Sequence, residues 1–225
     1  MTRVVVLSSL LALSAFAGEK PRVAVLYFEI GSNDPNLDVL KKGLAEMLIS
    51  DLAANDALVL VERARLEEVL AELNLQQTRQ FDPATAAKIG KLVGARYQVT
   101  GRLQVNPLKT TEAVLTAHVV DVETGKLVTI NPPIKLPVKD GEIFEAEAQL
   151  GERLHGELAK LVDVTPPQPK KKQGKLSMQN AVKYSQALDA IDKKDKKAAK
   201  EKLEAVVKAQ PDFMLATLEL DRLMK

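Results

Sequence analysis

The stretch Val23-Ala24-Val25-Leu26-Tyr27-Phe28 decides the fold. Six apolar residues in a row leave neither face of an extended segment for water, so the run predicts a strand in the middle of a sheet rather than at its edge. Downstream, Leu37, Leu40, Leu44, Leu48 and Leu52 recur at spacings of three and four, which predicts a helix laid against that sheet. The polar segment Gly31 to Asn36 is expected to be the intervening loop, with Asn36 capping the helix, and Asn55-Asp56 is expected to end it. Leu58 to Val61 then predicts a second buried strand. Glu62-Arg63 opens a helix with the stripe Leu66, Val69, Leu70 and Leu73, and the pair is read as a helix start that supports the fold rather than as a site. Asp82-Pro83 predicts another helix start, Ala86, Ile89 and Val93 its inward face, and Gly94 its left-handed end.

From Arg96 the period changes to two. Tyr97, Val99, Leu103 and Val105 fall on one face, and Gln98, Thr100, Arg102 and Gln104 on the other, which is therefore solvated or turned to a partner. Asn106-Pro107 turns the chain, Glu112 to Asp121 predicts a strand, and Asp121 to Lys126 reads as a hairpin turn around Gly125. Leu127 to Ile130 returns until Asn131-Pro132-Pro133 stops it, because proline cannot donate to a ladder. Gly141 to Val162, with Ile143, Leu150, Leu154, Leu158 and Leu161 at helical spacing, is expected to pack back and complete the core. The class is α/β: a mixed sheet of about five strands flanked by helices, plus a small C-terminal α-helical segment.

Outside that domain, residues 1–17 read as a secretory signal peptide: Arg3 precedes an apolar run from Val4 to Leu13, and Ala15-Phe16-Ala17 closes it before Gly18. The run is shorter than the roughly 20 residues a membrane-spanning helix needs. A periplasmic or secreted protein that is not a lipoprotein is expected, since the sequence has no cysteine to acylate, oxidise or ligate a metal. With 32 basic and 30 acidic residues, no general affinity for nucleic acid is implied.

The ordered pieces Val23 to Phe28, Gly43 to Leu48, Val61 to Leu66 and Ala87 to Arg102 resemble the curli-assembly (CsgG-type) family and related domains similar to the amino-terminal domain of TolB. That family includes envelope assembly factors and activator lipoproteins of peptidoglycan synthases. The resemblance implies an interaction domain spanning 18–163. Two features of relatives are missing from this chain: the acylated cysteine, and the long alternating hairpins from which pore-formers build a barrel. A periplasmic component rather than a channel is what it implies.

Residues 164–175 read as a linker, stiff at Thr165-Pro166-Pro167-Gln168-Pro169 and basic at Lys170, Lys171 and Lys172. From 176 to 225 the chain resembles one degenerate tetratricopeptide repeat, with Ala187, Ala199, Leu203 and Pro211 at its characteristic positions, Asp192 to Asp195 as the inner turn, and Lys183 and Ala190 where aromatics are preferred. A lone unit cannot cover its own apolar stripe, so Tyr184, Leu188, Leu203 and Phe213 are expected to be exposed for partner binding, with Lys170, Lys171 and Lys172 beside them. The linker is expected to keep this module apart from the first domain.

No catalytic constellation, cofactor motif or metal-ligand spacing emerges. His118 reads as a sheet-face residue and His155 as a helix-surface residue, and the phosphate-cradling glycine loops are absent. The expected function is a non-enzymatic, periplasmic protein-binding component of envelope assembly or regulation. Its partners would be envelope proteins, a second copy of the chain, or an anionic envelope polymer or membrane surface met by the lysines. The alternative is a sensor that binds a small molecule or cell-wall glycan at the solvated sheet face.

Overall fold

The computed structural model describes residues 19–32, 35–73, 83–105, 112–137, 142–164 and 176–225. The expected signal peptide, the residues Asn33, Asp34, Asp82, Asn106, Pro107 and Gly141, and nearly all of the linker with Lys170, Lys171 and Lys172 lie outside them.

The described residues contain seven strands, and these occupy five positions in one mixed sheet. β1 (Arg22–Val25) lies between β3 (Val59–Leu60) and β4 (Tyr97–Val105), parallel to both. This is the central place its apolar run requires, and Val23 to Phe28 are all essentially inaccessible. β2 (Glu29–Gly31) continues β1 along β4, pairing Glu29 with Arg102 where Val25 pairs with Val99. Four steps on one strand thus face three on the other, a bulge at Leu26 to Phe28. β5 (Glu112–Asp121) pairs antiparallel with all of β4, and on its other side lie β6 (Leu127–Thr129) and then β7 (Ile134–Pro137).

Two expectations are corrected here. Asn131-Pro132-Pro133 interrupts the returning strand but does not end it, because Ile134 and Leu136 resume the alternation and pair with Leu115 and Ala113. Asn36 lies inside α1 (Pro35–Asp38) instead of capping a later helix: proline's fixed φ suits the first helical position, so the helix starts earlier.

Helices cover both faces. On the face of Val23, Val25, Tyr97 and Val99 lie α2 (Leu40–Leu52) and α5 (Glu142–Leu161), the latter accepting a bond from the Tyr97 hydroxyl at the Leu161 carbonyl, 3.3 Å. On the Gln98 face lie α3 (Arg63–Glu72) and α4 (Pro83–Leu92). Gly94, with φ +67°, ends α4 as its lack of a side chain allows. Gly101 is fixed by contact: a Cβ there would lie 2.3 Å from the Thr116 carbonyl oxygen and from the Phe28 ring.

The tail forms α6 (Met178–Asp192), α7 (Lys196–Ala209) and α8 (Met214–Met224), with Ser177 and Asp195 capping the first two. It is not held apart. α6 packs along the outer side of α2 and touches α5, giving the molecule an additional helical layer. His155 is likewise not a surface residue of α5: it is half-buried, its Nε2 3.0 Å from the Asp51 carbonyl oxygen at the end of α2.

Candidate functional site

Among the described residues, polar side chains from several elements gather at the open part of the sheet and where α6 meets α2 and α3. The first is the part of the sheet that α4 does not reach. Gln98 was expected on a solvated face, yet α4 covers it, and its amide donates to the Ala86 carbonyl at 2.7 Å in a fully buried setting. Beyond it the face opens at Thr100, Arg102 and Gln104 on β4, Thr116 and His118 on β5, Thr129 on β6 and Lys135 on β7.

Cross-strand pairing brings these residues together: Thr100 opposes His118, Arg102 opposes Thr116, and His118 opposes Thr129. Lateral bonds fix them. The Arg102 Nε donates to Glu29 at 2.8 Å, the Gln104 amide to the Gly31 carbonyl at 2.9 Å, and His118 Nδ1 lies 3.0 Å from Thr129 Oγ1. The result is an accessible polar face whose side chains are already ordered, so little rotamer freedom would be lost if another surface covered it.

The second place is where α6 meets α2 and α3, immediately after β3. Lys42 and Arg63 have side chains only 5% and 6% exposed. Lys42 Nζ lies 2.9 Å from Asp189 and 2.8 Å from Asp192 of α6, and Arg63 Nη1 lies 2.7 Å from both oxygens of Asp192. Longer pairs reach Glu67 from Lys42, 3.5 Å, and Glu46 from Arg63, 3.3 Å. Tyr27 donates to Glu67 and stands beneath Lys42, whose Nζ is 6.0 Å from its ring centre.

Burial works against the charge on Lys42 and Arg63, but the bonds they donate to Asp192 and, for Lys42, to Asp189 outweigh it and raise both above their ordinary values. For Asp189 burial pushes up, and the bonds from Lys193 and Lys42 bring it below the ordinary carboxylate value. Glu46 goes the other way: burial raises it, and the Arg63 charge only partly compensates. The cluster is thus a charged junction between the tail and the α/β domain.

The expected partner-binding residues of the tail are placed by that junction. Tyr184, Leu188, Leu203 and Phe213 are each no more than 1% exposed, so they do not form an open stripe. Tyr184 and Phe213 meet edge to face, 4.9 Å between ring centres, and α2 supplies the cover that a lone repeat lacks. The sequence reading missed Lys42, Arg63, Asp189 and Asp192 because the partners lie 129 to 150 residues apart. No local signal marked Lys42: it stands two residues from both Leu40 and Leu44, opposite the apolar stripe of α2, where a solvated lysine is expected.

A shallow groove lined by Arg22, Val59 to Glu62, Arg65 and Lys91 to Gly94 runs beside the edge strand β3, away from the open sheet face. Among the described residues, no group of three or more histidine, aspartate or glutamate side chains is placed to hold a metal ion, and no helix is long and apolar enough to cross a membrane.

No curated protein matches the chain. Among solved structures, the LpoB C-terminal domain from Salmonella enterica is similar at 21% identity over 52% of this chain and 82% of that one, with a TM-score of 0.37. TolB from Acinetobacter baumannii is 15% identical over 64% of this chain and 29% of that one, TM-score 0.39. Lipoprotein GNA1162 from Neisseria meningitidis is 14% identical over 64% and 97%, TM-score 0.40. Residues 5–106, which run through β4 and take in every piece that carried the resemblance, match the family of the curli production assembly/transport component CsgG, and to that family this chain is similar.

Proposed function

We propose that the protein is a non-enzymatic component of the cell envelope that binds other proteins through the open face of its sheet. The observation that carries the reading is the ordered polar face of Thr100, Arg102, Thr116, His118 and Thr129. The similarity to an assembly and transport component supports the envelope setting. Residues 1–17 would direct export and be removed before Gly18, leaving a periplasmic or secreted chain without lipid. Lys170, Lys171 and Lys172 would add peripheral attraction to an anionic envelope polymer or membrane surface. Tyr184, Leu188, Leu203 and Phe213 would serve binding indirectly, by seating the tail.

The test is capture from an envelope extract with the full chain and with Thr116→Arg, which places a bulky charge in the middle of the face without touching the core. Loss of the captured proteins with an unchanged melting temperature is expected. Equal capture by both would overturn the reading.

A further inference from the structure

The junction beneath α6 has the features of a recognition site with its ligand in place. Lys42 and Arg63 both belong to the α/β domain, yet their shortest bonds run to α6, whereas Glu67 and Glu46 on their own side stand at 3.5 and 3.3 Å. Without α6 the two cations would keep only these longer pairs, in a site otherwise built to be buried.

The geometry is selective. Asp189 and Asp192 are three residues apart, so one turn of helix presents both carboxylates on one side. Lys42 bridges the two, and Arg63 meets both oxygens of Asp192 through Nη1 while its Nε faces Glu46, so one guanidinium spans carboxylates on α6 and on α2. Beside Lys42, Gly43 lets a helix approach closely: a Cβ there would lie 2.1 Å from Ser185 Oγ of α6.

The location is equally specific. The notch opens directly after β3, where the chain leaves the sheet between α2 on one face and α3 on the other. Crevices at the carboxyl ends of parallel strands, where helices diverge to opposite faces, are where open α/β sheets bind their ligands. A buried ion pair adds little net stability over an apolar contact of the same shape, but it discriminates strongly between partners.

We infer that the Lys42 and Arg63 notch is a receptor for a helix carrying two carboxylates one turn apart, and that α6 is a resident plug which a partner helix of that pattern displaces. This goes beyond the open sheet face and shares no residue with it, so either can fail while the other stands.

The experiment uses the full chain and its Asp189→Asn/Asp192→Asn variant, with a labelled peptide of residues 176–195 as probe. In the variant, amides of α6 to α8 should exchange at least about tenfold faster while those of β1, β4 and β5 keep their protection. The peptide should bind the variant at least about tenfold more tightly than the wild-type chain, whose own tail competes. A peptide with both aspartates changed to asparagine should lose that binding. If the sheet amides also lose protection, Asp189→Asn alone, which leaves the Arg63 to Asp192 pair intact, replaces the double variant in both measurements, with smaller changes in the same direction. Unchanged tail exchange, or peptide binding indifferent to its aspartates, would overturn the inference.

Discussion

Arg63 holds both oxygens of Asp192 in a setting where each side chain is under a tenth exposed, and this sets what its loss would do. Arg63→Met leaves Asp192 with Lys42 alone and should cost about 3 to 5 kcal/mol in urea unfolding, the usual penalty for breaking a buried pair from one side. Arg63→Met combined with Asp192→Leu should recover most of that loss, since the charges then leave together. Acid should act on the same cluster. Asp189 is below its ordinary value of 3.8 in the folded protein, so its contribution is present above that pH and is lost as the pH falls through the lower, folded value. Glu46, raised above 4.5, has the opposite sign: its ionisation weighs against the fold as the pH climbs through 4.5 and beyond. A melting series across pH 2 to 7 should therefore show Asp189→Asn flattening the decline below about pH 4, and Glu46→Gln flattening a slope above it; a wild-type profile in both variants would refute the assignment. Gly101→Ala has no comparable room to adjust, because the atom it would strike is the backbone carbonyl of Thr116. A loss of about 1 to 3 kcal/mol, the range for overpacking, is expected from denaturant titration.

Elements whose evidence lies within a few residues were legible in the sequence. The run Val23 to Phe28 announced a central strand, the turn at Asp121 to Lys126 announced the β5 and β6 hairpin, and the spacing in Glu142 to Leu161 announced α5. What failed was anything that depends on a distant neighbour. β7 was hidden because prolines forbid a ladder bond only where they stand, and whether pairing resumes beyond them depends on the free edge of β5. The tail was read as a separate module because a single repeat and a stiff linker say nothing of the surface of α2 that receives it. That surface changes what truncation does. Removing residues 164–225 would expose α2 along its length and leave Lys42 and Arg63 without Asp189 and Asp192. The remaining fragment should melt at least about 10 °C below the full chain, given roughly 2 to 4 °C per kcal/mol for a protein of this size. An unchanged melting temperature would instead restore an independent tail.

For the molecule as a whole, the sheet divides into a parallel half, where β1 joins β3 and β4, and an antiparallel half, where β4, β5, β6 and β7 follow one another. The antiparallel half leaves its polar face open, and that is the half on which the protein-binding reading rests. Purified chain mixed with a captured partner should accordingly shield amides of β4 and β5 in hydrogen exchange and leave those of β3 unchanged; shielding confined to β3 would place the contact elsewhere. The division also orders events in time. β4 and β5 are neighbours in sequence and can zip as soon as both exist; β3 can reach Val23 earlier, through Leu60, but the β4 side of Val23 to Val25 is paired only when Tyr97 to Val99 have been made. A growing chain thus carries its most water-averse hexapeptide, Val23 to Phe28, with no strand to receive it on the β4 side through the synthesis of four helices, α1 to α4. Contacts of such long sequence separation form slowly, so this protein's exposure to aggregation is concentrated at its beginning, and a holdase that recognises short apolar segments would be needed there first.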